Sequence, residues 1–571
     1  MISNIVEINW SALDRNKDIK RLEEEEFELV IIGGGVTGAG IAREAALRGI
    51  KTALIDKNDF AFGTSSRSSK MAHGGFRYLA QNEFKIVRES TTERNWLRNH
   101  FSHNVRPLIT NIGGFTDRKI SPTEVKLGLG IYDFLSDFGS KFKQFKKHKI
   151  LTREEVLKEE PNFNPSSLVN LGQYYDTNVD DSRLTLETIK ESKVIGDVVA
   201  VNYVKAEDFI LNEAGKITKL KAVDVETGKK LEINGDQFIN ATGIWTDSLL
   251  QNYHRKVIRP TKGVHIVVPG HRVGNNHAFG LFRMEDRRSI FVLTRNEFTL
   301  IGTTDTDYIL GKNGQPNEDF DYPYCTKEDS DYLIKTVNQY FPNANLTEKD
   351  IISTYAGIRP LVMEEGKSES EISRKEVIID TENGLTSICG GKLTAFRLMA
   401  ENTLYHIIKK KDGFSKDGKT REFPKKELKQ GYSKQEYLID LKRKEWDQFI
   451  LDNKPHLDAD ITNILYQQYG RGAIEIVKDV IANPQRGKRF LQDVQFIPAE
   501  IYYILSHEFA PHLIDILTRR TEISFKVHYK KQPEIAEKIA NIMAEVYSWD
   551  ENTKKREVKQ YLDHIGRTIW F

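Results

Sequence analysis

The sequence predicts an α/β fold in three parts, on three observations. From Phe27 to about residue 410, short β-rich runs alternate with helical patterns, the signature of a mixed α/β domain. Inside that stretch, Ser289–Thr294 and Phe298–Gly302 flank the turn Arg295-Asn296-Glu297, a hairpin signal that puts mixed or antiparallel sheet in the middle third. Beyond Lys411 the texture becomes Lys/Glu-rich with helical spacing: Ile461, Ile464, Leu465 and Tyr469, then Leu513, Ile516 and Leu517, then Ile535, Ile539, Ile542, Met543 and Val546. The expected units are a polar extension over 1–26, an α/β domain over 27–425 and a helical domain over 426–571.

Bulk properties narrow the function. The chain has 571 residues, enough for two or three domains, and 84 Lys+Arg stand against 82 Asp+Glu. A net charge of +2 offers no field for a polyanion, so no nucleic-acid partner is expected. Cys325 and Cys389 are too few and too far apart for a disulfide framework or a cysteine zinc site; no metal is expected, and a reducing, cytoplasmic setting is the simpler reading. Without a run of ~18 apolar residues no spanning helix is expected, and the acidic run Glu23–Glu26 has the wrong sign for a transit peptide.

The first packed element is expected at Phe27. The strand run to Ile32 leads into Gly33-Gly34-Gly35-Val36-Thr37-Gly38, and a helical run Ala39–Arg48 follows, with Gly49 able to end it. This is GxGxxG in its required context, a Rossmann-like dinucleotide site. Gly33 makes the tight turn, Gly35 lets backbone N–H groups approach a pyrophosphate, Gly38 lets helix and strand pack, and Thr37 lies within the turn. The helix N-terminus brings partial positive charge to the phosphates. Thr52–Ile55 is the second strand. Asp56 at its end lies 56 − 33 = 23 residues after the first glycine, where an acid accepts hydrogen bonds from a ribose and disfavours a 2′-phosphate. The fingerprint alone does not separate FAD from NAD.

Residues 63–79 are dense in hydroxyls, glycines and cations. Thr64, Ser65, Ser66, Ser68 and Ser69 can form a second anion cradle, and Gly74-Gly75 would let main chain approach a flat ring, although composition alone fits a Ser-rich loop equally well. With this segment, four further stretches carry a resemblance: Lys262–Pro269, Ile301-Gly302-Thr303-Thr304-Asp305, Tyr355–Leu361, and Gly390-Gly391-Lys392-Leu393-Thr394. The chain resembles the FAD-dependent glycerol-3-phosphate dehydrogenases, within the FAD-dependent amine and hydroxy-acid oxidoreductases. The likeness runs from about Phe27 to Arg397 and more weakly to Tyr469-Gly470 and Thr518-Arg519-Arg520-Thr521.

The resemblance implies non-covalent FAD, held by parts at about 27–110, 165–250 and 351–410, with substrate parts at about 111–164 and 251–350. Ala241, Thr242 and Gly243 would form a second flavin-proximal turn, and Gly391, Lys392, Leu393 and Thr394, ahead of a helical stretch, would face the ring edge that becomes negative on reduction. The implied reaction oxidises sn-glycerol 3-phosphate to dihydroxyacetone phosphate by hydride transfer from C2 to FAD N5. A buried phosphate needs fixed cations; Arg77, Arg359, Arg374 and Lys392 are the candidates, with Tyr78 and Thr304 beside them. His265 is preferred as base or polariser and His73 as a placing group for flavin or substrate, because an imidazole titrating near neutrality suits the hydroxyl proton; Arg359 could instead stabilise the alkoxide. Electrons would pass to a membrane quinone, with an O₂-using, peroxide-releasing glycerophosphate oxidase as the alternative. The oxidases' substrate-region insertion is not seen between Gly302 and Arg359, and no EF-hand loop points to the calcium-regulated branch. Lys141–Lys149 interleaves five lysines with two aromatics and would suit an anionic lipid surface, or simply be a solvated loop. Peripheral attachment to the inner face of the cell membrane and a homodimer are further expectations. An amine oxidase or a non-catalytic flavin binder stay open.

Overall fold

The computed structural model describes residues 10–115, 121–138, 140–163, 167–250, 256–282, 288–308, 320–363, 376–410, 415–416, 419–420 and 440–569. Packing starts earlier than the sequence suggested. Helix α1 (Arg15–Glu24) buries Arg15, Asp18, Ile19 and Leu22, and Trp10 ahead of it is buried too. The Trp10 indole donates to Ala200 O at 3.3 Å, and Arg15 pairs with Asp224 at 2.7 Å. Two of the four inward positions of α1 are charged, which hides its period from a hydrophobicity reading.

Strand β1 (Glu26–Ile32) feeds helix α2 (Val36–Leu47), which Gly49 closes in the left-handed region at φ 65°, and strand β2 (Thr52–Ile55) follows. β1 lies between β2 and the strand Lys230–Asn240, all parallel, with Val198–Val201 beyond β2 and Leu385–Cys389 beyond Lys230–Asn240. These strands belong to an eight-stranded sheet whose core is nearly continuous Val, Ile, Leu and Ala, as strands covered on both faces require. A second, nine-stranded sheet is antiparallel except where Ala278–Phe282 runs parallel to Arg106–Phe115. The expected hairpin, Ser289–Arg295 with Phe298–Gly302, turns at Asn296 with φ 55°. Beside it, the strand Ile258–Pro269 pairs along ten registered positions with Ser353–Val362.

The tail is helical, with its own apolar cluster, and docks on the first domain through buried charges. Arg183 forks onto Glu508 at 2.5 and 2.7 Å. Asp59, wholly buried just past β2, accepts from Arg519 Nε at 2.5 Å and from Arg520 Nη1 and Nη2 at 2.6 and 2.9 Å. Beside Asp59, Phe60 packs so closely on Gly34 that a Cβ there would strike its ring. His103 lies between Glu187 and Asp440, at 3.1 and 3.0 Å. Burial alone would depress its pKa, but the two carboxylates outweigh it and raise it to about 9. A raised folded-state pKa gives stability that is fully present below the unfolded value and lost as pH climbs through 9. Thermal melts should therefore fall between pH 6.5 and 9 by an amount on the order of 3 kcal/mol, a slope that H103Q flattens.

Candidate active site

A cleft of about 450 Å³ runs from the β1–α2 turn to the second sheet. At its nucleotide end, Gly33 has φ 111°, and a Cβ on it would lie 2.5 Å from Ala241 O, so only glycine lets the two turns meet. A Cβ at Gly38 would collide with Gly33 O: this is helix–strand packing, not cleft lining. Gly35 is different. Its φ is −74°, and a Cβ would meet only Ser65 Oγ, at 3.2 Å, so the position is left open toward the cleft it lines. Thr37 lines the cleft as well. Ser65 Oγ accepts from Val36 N at 2.9 Å, bringing the serine segment onto the helix N-terminus. Asp56 lines the cleft and accepts from Gly34 N at 2.7 Å and Asn58 N at 2.9 Å; burial pushes it up to about 6 despite those bonds, leaving it mostly ionised at neutral pH.

The other end collects charge. Arg359 donates from Nη1 to Asp305 at 2.7 Å and from Nη2 to Thr303 Oγ1 at 2.9 Å and Thr304 O at 3.0 Å. Three of its five donors are thus engaged, and its fork is fixed before any ligand arrives. Gly263 opposite must lack a side chain, because a Cβ would lie 2.6 Å from Arg359 Nη2. Tyr78 is held between two cations, Lys392 Nζ at 3.9 Å and the Arg77 guanidinium at 5.0 Å from its ring centre. His265 Nε2 lies 2.9 Å from Ser69 Oγ, and its ring stacks on Tyr355 at 4.7 Å. Its Nδ1 is buried without a hydrogen-bond partner among the described residues. Burial, then Arg359 and Lys70, push the imidazole down to about 3. The near-neutral titration expected of this histidine is not what the substrate-free site favours: burial and the two cations favour the neutral imidazole. His73 lines the cleft and its carbonyl accepts from Thr394 Oγ1 at 3.1 Å.

Most residues singled out from sequence meet here: Gly33, Gly35, Thr37, Asp56, Thr64, Ser65, Ser68, Ser69, His73, Tyr78, Ala241, Thr242, Gly243, His265, Arg359, Gly391, Lys392, Leu393 and Thr394 line one cleft. Others do not. Thr304 is buried with its hydroxyl accepting from Val264 N at 3.1 Å; Thr303 lines the cleft in its place, and both lie in the irregular link past the strand Phe298–Gly302, where no alternation tells one from the other. Ser66 faces the tail side. The Ser68 hydroxyl, although at the cleft, is given to Asp181 at 2.6 Å. Gly74 and Gly75 are required by packing against Tyr132 and Tyr78 rather than by a ring in the cleft. Arg77 stands behind Tyr78 rather than on the cleft wall, and Arg374 lies outside the described residues. Sequence reading missed Arg67, Trp245 and Lys57, whose ammonium sits 4.2 Å from the Trp245 ring centre; Trp245 follows the Ala241–Gly243 turn by two residues, the one signal available.

A model of the FAD dependent oxidoreductase family matches residues 28–397, and a model described as the C-terminal domain of alpha-glycerophosphate oxidase matches 426–554. The chain belongs to the FAD-dependent oxidoreductase family. Its similarity to the aerobic glycerol-3-phosphate dehydrogenase of Staphylococcus haemolyticus (strain JCSC1435) is 40% identity over 396 residues, 68% of each chain. The solved glycerol-3-phosphate dehydrogenase of Bacillus halodurans, complexed with FAD, superposes with a TM-score of 0.75 at 28% identity, covering 98% of this chain and 99% of that one. L-alpha-glycerophosphate oxidase from Mycoplasma pneumoniae, with FAD bound, shares the fold at 19% identity and a TM-score of 0.51, over 70% of this chain and 99% of that one. FAD is the cofactor of this oxidoreductase. The residues fit it: Gly33 lets the two turns meet, Gly35 leaves the cleft open beside the N-terminus of α2, and Asp56 lines the same end.

Proposed function

We propose that this oxidoreductase converts sn-glycerol 3-phosphate to dihydroxyacetone phosphate and passes the electrons to a membrane quinone. The observation that carries the reading is the preset Arg359 fork, with Lys392, in the same cleft as His265. Arg359 and Lys392 hold the phosphate, at about 1.5–3 kcal/mol for each charge-assisted hydrogen bond. His265, with Ser69 on Nε2, takes the C2 hydroxyl proton. Burial, then Arg359 and Lys70, depress its proton affinity, so a phosphate dianion that neutralises Arg359 relieves the second of these causes. Bound FAD supplies the hydride acceptor at N5. Backbone N–H groups at 390–394, which line the cleft ahead of the helix Phe396–Ile408, would hold the flavin ring and could stabilise negative charge on it.

The quinone and the inner membrane face find support in one surface. No described helix is long and apolar enough to cross a membrane. The helix Pro122–Asp137, however, is apolar on two sides: Val125, Leu129 and Tyr132 face the core, while Leu127, Phe134 and Phe138 just past its end are 64%, 59% and 55% exposed. Phe145 is 48% exposed, and exposed Lys126, Lys141, Lys143, Lys146 and Lys147 surround the stripe, an arrangement suited to an anionic bilayer. A homodimer would compete for the same face. Holoenzyme on anionic vesicles is expected to turn over anaerobically with a quinone analogue. L127S/F134S/F138S should keep that turnover with a soluble acceptor but stop sedimenting with vesicles. Stoichiometric peroxide in air, with no quinone-linked turnover, would favour the oxidase instead; self-association without lipid would favour the dimer.

A further inference from the structure

The tail segment after Arg520 reaches the back of the reacting end of the cleft along two routes. In the first, Glu522 Oε1 lies 2.6 Å from Lys70 Nζ, and the same ammonium lies 2.6 Å from Asp181 Oδ1. Asp180 stands with these two acids, and Arg295 closes on Glu522 at 3.4 Å. Lys70 and Glu522 are buried, and both hold left-handed backbone, φ 53° and 56°, which a non-glycine residue keeps only where its surroundings hold it. Burial would discharge the ammonium, but Asp181 and Glu522 overcome it and keep Lys70 charged. Ser68 donates to Asp181 from N at 3.0 Å and from Oγ at 2.6 Å, and Lys70 N donates to Ser68 Oγ at 3.0 Å. Residues 68–70 are therefore pinned on both sides of Ser69, whose hydroxyl meets His265.

The second route is aromatic. Phe525 packs on Tyr355 with ring centres 4.8 Å apart, and Tyr355 stacks on His265 at an interplanar angle of 14°. Tyr355 Oη donates to Ser68 O at 2.9 Å, and Ser353 Oγ donates to Phe525 O at 2.7 Å.

We infer that Glu522 and Phe525 are positioning residues for His265: Glu522 fixes Ser69 through Lys70, and Phe525 fixes the imidazole plane through Tyr355. The inference rests on the reading of His265 as proton acceptor. It gives the helical tail a part in the reaction that its distance in sequence conceals. E522Q keeps the volume and leaves Lys70 its bond to Asp181, so the chain is expected to fold. Purified E522Q should hold FAD at the wild-type ratio and keep KM for sn-glycerol 3-phosphate within about twofold, while the anaerobic rate of flavin reduction falls about 10- to 100-fold, the cost of an ångström-scale misplacement. E522D should restore most of that rate, and F525A should lower it as E522Q does. Imidazole ¹⁵N NMR of the substrate-free holoenzyme should show a hydrogen-bonded His265 Nε2 that E522Q weakens. A wild-type reduction rate with an unchanged His265 signal would overturn the inference, as would loss of FAD and melting temperature in step with the rate. If sn-glycerol 3-phosphate never reduces the wild-type flavin, the proposed substrate fails, and the imidazole signal alone decides the positioning role.

Discussion

Arg359→Ala is expected to raise KM for sn-glycerol 3-phosphate by about 100-fold or more, through loss of two charge-assisted hydrogen bonds worth some 3 kcal/mol or above, with flavin content unchanged. The separation is physical. Arg359 is anchored on Asp305 and Thr303 in the link that follows the strand Phe298–Gly302, and its engaged donors belong to that anchor rather than to the nucleotide end. Arg359→Lys should recover only part of the loss, since a point charge cannot reproduce a fork already set by three hydrogen bonds. Removing Arg359 also strands Asp305, so R359A/D305A separates loss of the phosphate grip from gain of an unpaired carboxylate. Steady-state kinetics with flavin-to-protein ratios check all three variants; an unchanged KM removes Arg359 from the site.

Gly35→Val is expected to give a folded but colourless protein. The backbone at Gly35 is ordinary, φ −74°, and a Cβ would touch only the Ser65 hydroxyl, so the fold accepts the change. The two added methyls then occupy the approach to the α2 N-terminus, where a pyrophosphate must come within hydrogen-bond reach of backbone N–H groups. Flavin retained on gel filtration should fall by at least about tenfold, since one lost charge-assisted contact of ~1.4 kcal/mol or more suffices. Circular dichroism should stay as in the wild type. Gly38 makes the contrast: a Cβ there collides with Gly33 O, so Gly38→Val is expected to lose fold and flavin together.

The nucleotide half of the site was legible because its chemistry is local. A strand, a glycine turn, a helix start and an acid 23 residues past the first glycine determine one another through backbone geometry, and Gly33, Gly35 and Asp56 appear where that pattern puts them. The reacting half is assembled across the chain: Ser69 meets His265 at 196 residues' separation and Lys70 meets Glu522 from the far tail, pairings that no periodicity encodes. Residue types there could be named, but not the direction each side chain faces, which is why Thr304 stood in for Thr303 and Gly74-Gly75 for the tyrosines they pack against. The N-terminal helix was hidden for a third reason, because buried charge replaced apolar residues on its inner face.

In the proposed reaction one cleft brings this substrate's reacting carbon to the flavin. Anaerobic titration of the purified holoenzyme with sn-glycerol 3-phosphate tests it most directly. The flavin's visible absorbance should bleach in step with the dihydroxyacetone phosphate formed, and R359A should need far more substrate to reach the same end point. A flavin that stays yellow at saturating sn-glycerol 3-phosphate, yet bleaches with dithionite, would contradict it.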